Sequence, residues 1–371
     1  MKLALRELRR RPGRFVTATV ILTLLSTLLM LLGGLLDGLT SGATSAVLAQ
    51  KADLIVYSST AENSFARSRI TPDQRQAIED VDGVERVGGI GVVQAGARIE
   101  GNAPRDLVDV VVIGYEIAPN GVPDPPATGS AYADETLRSE GIEEGMTIEV
   151  GQARTPVEIA GFVDGLQYSG QGTLWVDGDT WRDTLNANRP GSGVGDGVFQ
   201  SLVVQTDGGA NAAGVASAID AALDDATSTL SVTDGANAIG GVKQQASTFN
   251  QIIGVTVFIA IVVVALFFAL LTIERTSLYG VLKALGATSR TIFAGVMLQA
   301  VLVTLVASVI GSVLAFGLDL AIPSGSLPYT LQVSRVISSV VFLLVAALIG
   351  CAFSLRSVLR IDPASAIGSN T

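Results

Sequence analysis

The residues able to do chemistry are telling first by what is missing. The 371 residues contain no histidine and one cysteine, Cys351. Without an imidazole there is no Ser-His-Asp or Cys-His nucleophile, no His-ligated metal and no proximal-His haem. A lone cysteine excludes an internal disulfide framework and a Cys-clustered zinc site. No stretch fits G-x-x-x-x-G-K-[S/T], so the chain has no P-loop of its own. Acid pairs such as Asp177 with Asp179, or Glu143 with Glu144, offer oxygen ligands for Ca²⁺. None lies in a D-x-[DN]-x-[DN]-G loop, and scattered solvated acids are the simpler reading. The most informative segment is 274–290, Glu-Arg-Thr-Ser-Leu-Tyr-Gly-Val-Leu-Lys-Ala-Leu-Gly-Ala-Thr-Ser-Arg. Leu278, Val281, Leu282 and Leu285 recur at helical spacing, and Gly286 can end the helix. A short amphipathic helix of this kind either lies in a lipid interface or docks in a groove of a soluble partner. Composition leaves both uses open.

The elements that must position this segment are membrane spans. The chain is 49% hydrophobic and 16% charged, against about 25% charged in soluble domains. Four runs are long and apolar enough to span a bilayer, 15–36, 251–273, 291–320 and 336–355. Lys2, Arg6, Arg9, Arg10, Arg11 and Arg14 precede the first run, which is longer than a secretory signal core and reads as a retained signal-anchor. Segments 1–14, 274–290 and 356–371 together hold 11 Lys/Arg and 3 Asp/Glu, whereas 37–250 holds 12 Lys/Arg and 30 Asp/Glu. The positive-inside rule then places both termini and 274–290 in the cytoplasm and 37–250 outside. The net charge of −10 averages two opposite halves, and no nucleic-acid partner is expected.

The fold expected is an α-helical membrane protein with four transmembrane helices plus an α+β extracytoplasmic domain inserted between helices 1 and 2. A cytoplasmic elbow (1–14), an outer loop (321–335) and a cytoplasmic tail (356–371) complete it. Within 37–250, residues 53–57, 108–115, 147–150, 157–163, 173–176 and 202–205 read as strands. A helix starts at the cap Thr71 with Pro72 as its first residue, and a second covers 210–223. Residues 119–130 and 188–197, rich in Pro and Gly, read as loops, and the first could divide two subdomains.

The 274–290 segment resembles the E-R-x-x-x-x-G-[VI]-L-[RK]-A-[LI]-G-A stretch of FtsX/MacB-type ABC permeases. The tail Arg360-Ile-Asp-Pro-Ala-Ser-Ala-Ile367 is similar to their R-x-D-P-x-x-A-[IL], and residues 5–15 to their amphipathic N-terminal elbow. The layout of one span, a large outer domain and three further spans agrees. The resemblance implies a multi-pass permease of a bacterial plasma membrane. It implies a homodimer driven by two copies of a separate ABC ATPase, so the chain is not itself an enzyme. Glu274, Arg275, Tyr279, Lys283 and Gly286 would then belong to a coupling helix that receives the ATPase movement. Thr276 replaces the arginine usual after Glu-Arg in the family.

Within the family, several segments are similar to the hemin-export branch of Gram-positive bacteria. They are residues 1–7, Gly33-Gly-Leu-Leu-Asp-Gly-Leu39, Gly161-Phe-Val-Asp-Gly-Leu-Gln-Tyr-Ser169, 173–177 and the tail 361–368. This implies haem as the transported ligand, with no intrinsic cofactor and no metal beyond the haem iron. Without histidine, iron can be held by Tyr, Met or Cys, with carboxylate as a further oxygen donor. The candidates are Met30 in the outer half of the first span, Asp37 at its border, and Tyr168. Phe249 and Gln251 would wall an amphipathic cavity at the start of the second span, and Cys351 reads as a packing residue. Haem would enter from the outer leaflet between the first and second spans of two protomers, and ATP-driven closure would expel it. Two other readings share the motifs: export of another amphiphile such as a peptide antibiotic or lipid, and an FtsX-like signal transmitter to a cell-wall hydrolase. An intramembrane protease is excluded, because the spans carry no His and no acid away from their borders.

Overall fold

A computed structural model describes residues 12–101, 103, 106–274, 276–321 and 327–358. Its elements run in chain order as α1 (Pro12–Leu48), β1 (Leu54–Ser58), α2 (Pro72–Glu79), β2 (Val84–Arg98), β3 (Val108–Tyr115) and β4 (Ser130–Asp134). There follow β5 (Thr147–Val150), β6 (Thr155–Val163), β7 (Gly172–Val176), α3 (Gly178–Asn188), β8 (Ser201–Thr206), α4 (Ala212–Ala222), β9 (Thr227–Ser231) and α5 (Val232–Asn237). The chain closes with α6 (Val242–Glu274), α7 (Thr276–Ala284), α8 (Ser289–Ala321) and α9 (Val333–Val358). The chain divides into two compact units, Met1–Gly38 with Gln245–Thr371, and Leu39–Gln244.

In the first unit, α1, α6, α8 and α9 are each long and apolar enough to cross a membrane. α1 and α6 outrun the expected spans at the ends that flank the 39–244 unit. The apolar run stops near Asp37, but residues 37–48 and 242–250 contain no proline, so polarity ends the span without ending the helix. Small residues let these helices approach closely, as packing without a hydrophobic driving force requires. A Cβ on Gly311 of α8 would lie 2.7 Å from Ser26 Oγ of α1, and one on Gly350 of α9 would lie 3.0 Å from the Ala265 backbone nitrogen of α6. Leu22, Leu29, Val264, Phe268, Val303, Leu343 and Cys351 are buried in the shared core, so Cys351 does pack.

The second unit is built on one nine-stranded sheet. β2 pairs with β3 along Ile90–Ala97 and with β5 at Ala97 and Arg98. The strands β2-β3-β7-β4-β6-β5 therefore close on themselves, while β8, β1 and β9 extend from the first half of β2. Side chains alternate strictly between two cores. Val110, Val112, Leu174 and Val176 join one, and Val111, Ile113 and Trp175 the other. Burial on both faces explains the near-continuous apolar runs of β1, β3 and β7. Gly91 and Gly114 are directly paired, and together they leave room for the ring of Trp181 from α3. Trp181 in turn stacks on Phe199 at 5.5 Å.

The expected strands are all present, β3 and β5 with the expected ends and β1, β6, β7 and β8 with ends shifted by one or two residues. β2, β4, β9, α3 and α5 were not expected. β2 carries four glycines, Gly88, Gly89, Gly91 and Gly96, which dilute its strand signature. The sheet runs across the 119–130 loop through β3, β7 and β4, so the domain is one body and not two subdomains. Thr71 caps α2 by a reciprocal capping box with Gln74, as its position predicts, with Asp73 the one acid in the first turn. Asp177 is the N-cap of α3, accepting from the Thr180 backbone N–H at 3.1 Å, and Asp179 pairs with Arg182. Of the acids offered as Ca²⁺ ligands, Asp177 and Asp179 are thus used locally.

Candidate functional site

α7 joins α6 to α8, so its position follows from the chain. Its end is set by Gly286, whose φ of +91° is in the left-handed region that glycine adopts without strain. The Gly286 N–H donates to the Lys283 carbonyl at 3.0 Å, and the Ala287 N–H reaches back to the Leu282 carbonyl at 2.9 Å. This double closure is a Schellman motif. Thr288 then caps α8, its Oγ1 accepting from the Thr291 N–H at 3.3 Å. The stop at Gly286 and restart at Ser289 break the 274–290 segment into a short helix and a tight turn, instead of one longer helix. Val281 is 53% exposed and Leu285 79%, while Leu282 and Lys283 are half-buried. Tyr279 packs against the core of the helical unit, and Glu274 is exposed at the end of α6. Val281 on the short helix and Leu285 just after it thus present apolar side chains outward, as either docking or interfacial use requires. Arg275, the 1–11 part of the elbow and the 360–367 motif lie outside the described residues.

At the other end of the spans, the Gly33–Gly38 segment has a role the sequence reading missed. Gly33, Gly34 and Gly38 form a side-chain-free strip on α1. A Cβ on Gly34 would lie 2.5 Å from the Tyr329 ring, and one on Gly38 would strike the Pro328 carbonyl and lie 2.8 Å from the Tyr329 backbone nitrogen. The segment preceding α9 docks on this strip, and the Thr330 N–H donates to the Gly34 carbonyl at 3.1 Å. Arg335 crosses Gly33 with its aliphatic stem. Its guanidinium holds Asp37 in a two-bond fork, with Nε donating to Oδ2 at 2.9 Å and Nη2 to Oδ1. Asp37 is thus the partner of a cation, not a bare carboxylate at the border. Met30 is fully enclosed, packed with Ala315 and Leu331 and flanked by Tyr329, Val336 and Val340. The thioether faces α8 and α9 within its own protomer, with no exposed surface toward a cavity between spans 1 and 2. Small residues spaced as Gly34-x-x-x-Gly38 were the available signal for this dock.

Tyr168 lies in the 39–244 unit, beside the turn Ser169-Gly170. Both turn residues have positive φ, +52° and +80°, as a two-residue hairpin turn demands. The turn grips the extension of α1. The Ser169 N–H donates to the Ala43 carbonyl and the Gly170 N–H to the Gly42 carbonyl, at 3.0 and 2.9 Å. The Gln167 N–H donates to Ser45 Oγ at 2.9 Å. Behind it, fully buried Asp134 accepts from the Leu166 N–H at 2.8 Å and the Thr136 N–H at 3.1 Å, which fixes the start of the turn. The Tyr168 ring is buried edge-on to Phe65, which meets Tyr57 in turn. Burial pushes the Tyr168 hydroxyl up to about 12, so it stays protonated at neutral pH. The segment 161–169 is therefore a tie between sheet and helix.

Phe249 and Gln251 differ from the other three candidates. Phe249 is half-buried and Gln251 exposed on α6, where Gln251 Nε2 donates to Ser247 Oγ at 3.4 Å. Ile252, Val255, Phe258 and Ile259 continue an exposed apolar face. Met30, Asp37, Phe249 and Gln251 thus belong to the helical unit and Tyr168 to the 39–244 unit.

Comparison with known proteins bears on the helical unit. Residues 250–363 match the family described as FtsX-like permease C-terminal. The chain is 29% identical over 140 residues to a Staphylococcus epidermidis protein named "Putative hemin transport system permease protein HrtB", covering 38% of this chain and 40% of that one. It is 36% identical over 121 residues to the Staphylococcus haemolyticus protein of the same name, covering 32% and 33%. The matched stretches thus span at most two fifths of these relatives. The extracellular domain of the noncanonic ABC-type transporter YknZ from Gram-positive bacteria aligns with 48% of this chain and 100% of its own, at 16% identity and a TM-score of 0.33. Most of α6 and all of α7, α8 and α9, with the turn at Gly286, lie inside the range that matches the FtsX-like permease C-terminal family.

Proposed function

We propose that the protein is the permease subunit of an ABC-type efflux pump that takes haem from the outer leaflet of a bacterial plasma membrane and expels it. Two copies pair with two copies of a separate ATPase. The observation that carries this reading is α7, a short helix with Val281 and the adjoining Leu285 exposed, lying inside the FtsX-like range of a chain that has no P-loop. Glu274, Tyr279 and Lys283 on and beside it receive the ATPase movement, and the Gly286 turn passes it into α8. The hemin-transport names of the staphylococcal relatives support haem as cargo. Haem is flat and apolar with two carboxylates, and suits the exposed α6 face that starts at Phe249 and Gln251. Met30 reaches it only if α1 parts from α8 and α9. Tyr168 serves to hold the domain to α1.

The test is transport. Vesicles containing the permease and its ATPase are loaded with hemin, and an external apo-haem-protein reports release. Release that requires ATP and an intact ATPase supports the proposal; release at the same rate without ATP overturns it.

A further inference from the structure

Arg335 is set apart from most cations of the four long helices. Among the described residues of these helices, Arg14, Arg290 and Arg356 lie at the opposite ends of α1, α8 and α9, and Lys243 lies in the first turn of α6. Arg335 is in the first turn of α9, at the end from which the 39–244 domain is inserted. A guanidinium carries five N–H donors in a planar fork. Asp37 takes the side-on edge, through Nε and one hydrogen of Nη2. Among the described residues nothing takes the end-on edge formed by Nη1 and Nη2, and the side chain is 25% exposed. Gly33 leaves the room in which the stem lies, so the fork is held in place before any ligand arrives. A packing clamp alone would be served by a lysine. A planar fork with one edge occupied and one presented matches a second carboxylate.

We propose that the end-on edge of Arg335 recognises a carboxylate of the transported amphiphile, in haem a propionate. This rests on the transport reading above. The ligand's ring system lies in the apolar layer, and its carboxylate reaches the Arg335 fork at the membrane border. Asp37 orients the fork and, as a neighbouring negative charge, tempers the affinity so that the ligand can leave.

The experiment measures dissociation constants of the full-length permease for hemin and for hemin dimethyl ester, which keeps the ring and iron but has no carboxylate charge. Wild type is expected to favour the acid. Arg335→Gln should weaken hemin about tenfold, the scale of one charge-assisted contact, and leave the ester unchanged. Asp37→Asn should tighten hemin and not the ester. If Arg335→Gln does not fold, Arg335→Lys keeps the charge beside Asp37 without a second edge, and its acid preference should also fall. An acid-to-ester ratio unchanged in the variants, with both ligands bound, overturns the role of Arg335 and leaves haem transport standing. Saturable binding of neither ligand to wild type overturns the haem reading and this inference with it.

Discussion

Gly38→Ala tests whether the Gly33–Gly38 strip holds the membrane unit together. The added Cβ would meet the Pro328 carbonyl and lie 2.8 Å from the Tyr329 backbone nitrogen. Both are main-chain atoms, so no rotamer change relieves the clash. The 328–331 segment must lift. Overpacking of this kind costs about 1–3 kcal/mol, and loss of the Thr330-to-Gly34 hydrogen bond about 0.5–1.5 kcal/mol more. The expected total is about 2–4 kcal/mol. Gly33→Ala should cost less, because it meets only the flexible stem of Arg335. Gly317→Ala is the control: a Cβ there meets nothing within 4 Å, and Ala favours the helix over Gly by about 1 kcal/mol. Thermal unfolding of the detergent-purified full chain ranks the three. A Gly38→Ala variant as stable as Gly317→Ala would refute the docking account.

Three further outcomes follow from the same geometry. Met30→Ala removes a fully enclosed side chain and should cost about 2–5 kcal/mol in unfolding free energy; a variant of wild-type stability that loses haem binding would instead restore Met30 as a ligand. Tyr168 has an ordinary value of 10.0 raised to about 12 by burial. The unfolded tyrosine ionises first, so its contribution is complete below pH 10 and lost as pH rises through 12. Tyr168→Phe should therefore flatten the alkaline loss of stability by about 3 kcal/mol, read by unfolding at successive pH values. Gly286→Ala places a side chain at a φ of +91°, which costs about 1–2 kcal/mol locally; haem-stimulated ATP hydrolysis should fall several-fold while haem binding by the permease is unchanged.

The spans were legible because twenty apolar residues admit few other readings. Their ends were not, since a helix such as α1 continues through Gly-Leu-Thr-Ser after the apolar run stops. The stop at Gly286 was legible, because one residue type dominates left-handed helix ends. The strands with β-branched runs, β1, β3 and β7, were visible. β2 was hidden because its glycines answer a distant need, room for Trp181 and Phe199. The haem candidates show the same limit. Met30, Asp37 and Tyr168 were chosen for what their atoms can ligate, and no local pattern disclosed that Arg335, 298 positions along the chain, would hold Asp37. Ligand chemistry can be read from residue type, but whether a residue is already engaged depends on tertiary pairing.

The central claim is that this permease binds haem at a defined site and that ATP drives its release. A hemin titration of the detergent-purified full chain, with and without the proposed ATPase partner, tests it most directly. The account predicts a saturable Soret shift at one haem per dimer, and ATP hydrolysis that rises with haem occupancy. A linear, featureless absorbance change matching that of empty micelles, with hydrolysis indifferent to hemin, would contradict it.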